Sequence, residues 1–73
     1  MVDYKKIADI MDNYSSGFPW TSKEEFKELM QARKMKLIKI IDFSNDSNRE
    51  VWGNKNYQII VRHNCKCNRY KII

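Results

Sequence analysis

The chain has 73 residues, with 14 Lys or Arg against nine acids, a formal charge of +5, 42% hydrophobic residues and two cysteines. A chain this short buries only about 60% of the surface its unfolded form exposes, so one small domain over 1–73 is expected, with no room for a second site-bearing unit. Cys65 and Cys67 are too close to staple distant segments, which points to a reducing, cytoplasmic setting, and charges spread through the first thirty residues leave no apolar run for a secretory signal or a membrane span.

In "VDYKKIADIMDNY", residues Tyr4, Ile7, Ile10, Met11 and Tyr14 form one helical stripe, and Asp3 is placed to cap it. "SSGFPW" ends this first helix, because Pro19 disfavours helical geometry at Phe18. A second helix is expected to start at "TSKEEF", where both Thr21 to Glu24 and Ser22 to Glu25 have capping-box spacing, with Phe26, Leu29, Met30 and Met35 as its apolar face. Its end is ambiguous between about residue 34 and about residue 42, since helical spacing persists through Leu37, Ile40 and Ile41 and no Gly or Pro intervenes before residue 53.

The Ile-rich "KLIKIIDF" favours a strand over about 35–43, and the turn-forming "SNDSN" makes a hairpin with "REVW". A second turn, "GNKN" at 53–56, leads to "YQIIVRH", and "NRYKII" supplies a last strand. The expected fold is α+β, with two N-terminal helices followed by a three- or four-stranded antiparallel sheet.

Within "VRHNCKCNRYK" the lone His63 alternates with Cys65 and Cys67, the spacing of a possible metal site. Zinc prefers four ligands from separated pieces of chain, and only three candidates occur here, so no metal or other cofactor is expected. Pairing the flanking strands by apolar parity, Val61 with Tyr70 and Ile59 with Ile72, leaves 64–67 as a four-residue loop and sets His63 opposite Asn68. The same register puts Arg62, Arg69 and Lys71 on an outer face, Lys66 at the hairpin tip and Asn64 beside them, with Arg62 directly opposite Arg69. Like charges so placed repel, and an anionic partner would relieve them.

Charge placement agrees. Residues 1–30 hold four lysines and six acids, a charge of −2, whereas 31–73 hold ten Lys or Arg and three acids, a charge of +7. Phe18 and Trp20, either side of Pro19, are a second candidate contact, because rigid aromatics are favoured at interfaces. The lone His, the two glycines outside any phosphate-cradling loop and acids explained by helix capping argue against an enzyme.

Abundant Lys, Ile and Asn, with ten, nine and seven copies, fit the A- and T-rich codons of a low-GC bacterium, phage or mobile element. The expectation is a basic binding protein that contacts nucleic-acid backbone through a sheet face, using Arg62, Lys66, Arg69, Lys71 and Asn64. The alternative is a phage-encoded inhibitor docking on a host nucleic-acid-processing protein, such as a nuclease or a CRISPR-type defence complex. Sequence leaves the oligomeric state open.

Overall fold

A computed structural model of the chain describes residues 2–14 and 17–73. Helix α1 spans Tyr4–Met11, strand β1 Thr21–Ser22, helix α2 Lys23–Ala32, and strands β2 to β5 span Lys36–Ser44, Ser47–Gly53, Gln58–Asn64 and Arg69–Ile72. The class is α+β as expected. Two features differ: a short strand separates the helices, so they are not an uninterrupted N-terminal pair, and the antiparallel sheet has five strands, ordered β1-β5-β4-β3-β2.

The extra strand follows from local chemistry. With Pro19 disfavouring helix before it, the chain arrives extended, and Thr21 and Ser22 pair with Tyr70 and Arg69. Thr21 Oγ1 donates to the Tyr70 carbonyl at 3.2 Å. Ser22 then N-caps α2 at once, its Oγ accepting from Glu25 N at 3.2 Å. Two residues are too few to carry a strand signature in sequence.

Helix α1 starts as predicted, with Asp3 Oδ1 accepting from Lys6 N at 3.1 Å. Its buried face is different. Ala8 is fully buried while Ile7, Ile10 and Tyr14 of the expected stripe are exposed, and Tyr4 and Met11 pack beside Ala8. The helix therefore docks on its i, i+4, i+7 line.

The ambiguous end of α2 is settled by a Schellman motif. Met35 N donates to Met30 O at 2.8 Å and Lys34 N to Gln31 O at 3.1 Å, with Lys34 left-handed at φ 55°. Met30 and Met35, the pair that normally closes this motif through an apolar contact, are both in the core. That contact releases the chain into β2 and overrides the continuing helical period.

Two cores lie on opposite sides of the sheet. Phe26, Met30, Met35, Val61 and Tyr70 form one, against α2; Ala8, Ile41, Val51 and Ile60 form the other, against α1. Consecutive residues such as Ile60 and Val61 point into different cores, which explains the unbroken apolar run "IIV" in β4. Strand β2 lies at the open edge, with Leu37, Ile38 and Ile40 exposed and irregular pairing between Leu37 and Lys39 and between Asp42 and Ser44. Among the described residues no helix is long and apolar enough to cross a membrane.

Candidate anion-binding interface

The register of the last hairpin differs by two residues from the predicted one. Val61 pairs with Ile72, Arg62 with Lys71, His63 with Tyr70 and Asn64 with Arg69. The loop is thus 65–68, with Asn68 left-handed at φ 53°, and Asn64 Oδ1 accepts from Lys66 N at 3.0 Å and Cys67 N at 3.1 Å. Apolar parity could not separate these registers, because a slip of two preserves every side chain's face. Arg62 consequently opposes Lys71, not Arg69.

Across the sheet, Lys71, Arg62 and Arg49 are paired in sequence on β5, β4 and β3, forming a cationic row. The face that carries this row is the one on which α1 packs, so the outer face expected of a one-sided sheet is partly covered. Asp12, the C-cap of α1, lies over the row. Its Oδ1 accepts from Arg49 Nε at 3.0 Å and from Arg49 Nη2, and Arg62 Nε stands 3.3 Å away. Arg62 Nη2 donates to the Asp12 carbonyl at 2.6 Å. One guanidinium thereby caps the helix while the other, buried and with its carbon 4.4 Å from the Phe43 ring centroid, holds the carboxylate.

Toward the sheet edge the same face is open. Lys66 and Arg69 are exposed and Lys71 is partly exposed, and Arg69 sits between Asn64 of β4 and Ser22 of β1. Trp20, immediately before β1, is 41% exposed, and Phe18 is 49% exposed, so neither is folded fully into a core. Trp20 thus directly precedes the strand that pairs with β5, which carries Arg69 and Lys71. Sequence reasoning missed Arg49 and Asp12, since an ion pair 37 positions apart leaves no local pattern.

His63 belongs to the opposite face. Its ring stacks on Tyr70 at 4.3 Å, and Tyr70 stacks on Phe26 at 4.3 Å. Nδ1 is 3.3 Å from Glu50 Oε2, Nε2 is 3.0 Å from Asn68 Oδ1, and Trp52 Nε1 donates to Glu50 Oε1 at 2.8 Å. These contacts tie a buried carboxylate into the core. Burial first, then the negative charges of Glu50 and Cys65, raise the Tyr70 phenol above its ordinary value.

Cys65 and Cys67 are free and exposed, with Cys65 Sγ 4.0 Å from His63 Nδ1. Among the described residues no group of three or more His, Cys, Asp or Glu side chains is arranged to hold a metal.

No protein-family model matches the chain. No curated protein and no solved structure matches it either.

Proposed function

We propose that the protein binds single-stranded nucleic acid along the open side of the β4–β5 hairpin. Lys66, Arg69 and Lys71 contact phosphates and Trp20 stacks on a base. The observation that carries this reading is the cationic row of Lys71, Arg62 and Arg49 across β5, β4 and β3, in which the Asp12 carboxylate meets Arg49 and Arg62, together with the exposed Trp20 directly before the strand that pairs with β5. Phosphate supplies the missing counter-charge, and base stacking on an aromatic tolerates any sequence. Asn64 contributes by fixing the turn that displays Lys66, and Phe18 flanks the indole across Pro19.

Fluorescence anisotropy with a labelled single-stranded oligonucleotide tests the reading. Binding should weaken steeply with salt, and neutralising Arg69 or Lys71 to Gln should each lower the slope of log affinity against log salt by about 0.7. Absence of a complex at micromolar protein and low salt would exclude it.

A second reading, docking on a host nucleic-acid-processing protein, is favoured by β2. Its exposed Leu37, Ile38 and Ile40 lie on an open edge to which a partner strand can add. Recovery of a host protein after nuclease treatment, lost when Ile40 is changed to Lys, would support it.

A further inference from the structure

We infer that Asp12 occupies a phosphate subsite: its carboxylate stands in for a phosphodiester oxygen between Arg49 and Arg62, and bound nucleic acid displaces it, lifting α1 off the sheet. This rests on the nucleic-acid reading above and assigns a regulated extension of the same surface.

Three observations carry it. First, the donors converge on one oxygen in the way that suits a phosphate: Arg49 offers Nε and Nη2 to Asp12 Oδ1, and Arg62 brings Nε to 3.3 Å of the same atom. Arg62 Nε is nonetheless buried without a hydrogen bond, so the planar carboxylate leaves a donor that a phosphodiester, whose two non-bridging oxygens diverge tetrahedrally, can satisfy. Second, the subsite continues the open surface, because Arg62 is the direct neighbour of Lys71. A strand tracking Arg69 and Lys71 meets Arg62 next.

Third, the helix that delivers Asp12 is held lightly. Ala8 is its one buried residue among those described, Ile7 and Ile10 are exposed, and a cavity of about 230 Å³ lined by Tyr4, Ile7, Met11, Val51, Ile60 and Ile73, among others, remains beside it. A helix of eight residues has little stability of its own. Asp12 also sits at the negative end of the helix dipole, where a carboxylate is disfavoured unless cations such as these hold it.

The test compares Asp12→Asn with Asp9→Asn, an exposed position on the same helix that changes net charge equally. Anisotropy with a single-stranded oligonucleotide should show about tenfold tighter binding for D12N and a change of less than about threefold for D9N, the larger effect corresponding to about 1.4 kcal/mol. Equal gains in the two variants would reduce the effect to overall charge and overturn the subsite.

Hydrogen exchange on the unmodified protein supplies an independent measurement. Saturation with the oligonucleotide should speed amide exchange across Tyr4–Met11 while slowing it in β5; unchanged or increased protection of α1 in the complex would overturn displacement. Absence of binding by the unmodified protein and both variants would instead remove the nucleic-acid reading itself.

Discussion

Lys34 adopts the left-handed conformation that ends α2, at φ 55°, where a side chain costs about 1–2 kcal/mol relative to Gly. Part of that is returned by the greater unfolded-state freedom of Gly, so Lys34→Gly should stabilise the fold by up to about 1 kcal/mol, read as a rise of several degrees in thermal midpoint. A β-branched residue there should lower the midpoint. Tyr70 offers a pH-dependent readout. Its phenol is raised above 10.0 by burial, then by Glu50 and Cys65, so the folded state holds the proton more tightly than the unfolded chain. The stability this contributes is fully present below the ordinary tyrosine value and is lost as pH rises through the folded value. Alkaline titration followed by tyrosinate absorbance should show a late component that Tyr70→Phe removes.

At the scale of elements, α2 is anchored by Phe26, which stacks on Tyr70 and meets Trp52 edge-on at 5.3 Å. Phe26→Ala should cost about 3–5 kcal/mol, a large share of the total stability of a chain this size, and chemical denaturation would measure it. Gly53, the last residue of β3, is needed for space. A Cβ there would lie 2.8 Å from both Gln58 Cγ and Ile38 Cδ1 and 3.3 Å from the Tyr57 carbonyl. Gly53→Ala should therefore destabilise by about 1–3 kcal/mol, through overpacking where β2, β3 and the turn into β4 meet. Among turns, "GNKN" was readable because Asn54 does what Asn does in such places: its Oδ1 accepts from Asn56 N at 2.8 Å and Tyr57 N at 3.0 Å. The β4–β5 loop was readable only to within two residues, since parity alone sets the face and not the register.

For the whole molecule, the two cores are unequal. Phe26 and Met30 are buried from α2, whereas α1 buries Ala8, so the protein should open from the α1 side first. Native-state hydrogen exchange should show lower opening free energies for Tyr4–Met11 than for Lys23–Ala32, with the greatest protection in β4, whose Ile60 and Val61 serve both cores. Equal protection of the helices would contradict this order.

The sequence by itself determined the α+β class, the start of α1 through Asp3 and that of α2 to within one residue, at Thr21 or Ser22, while the end of α2, and with it the start of β2, stayed open. It also placed the cationic side chains of the last hairpin on one face, because caps, alternation and turn residues act over a few positions. Only the tertiary structure decided that both faces of the sheet are covered, that α1 docks on Ala8 and not on its isoleucines, and that Arg62 opposes Lys71. It alone decided that Asp12 lies over Arg49 and Arg62. Each of these depends on contacts between segments far apart in the chain, where the energy of burial and charge pairing is set by which surfaces meet, and no local pattern records that choice.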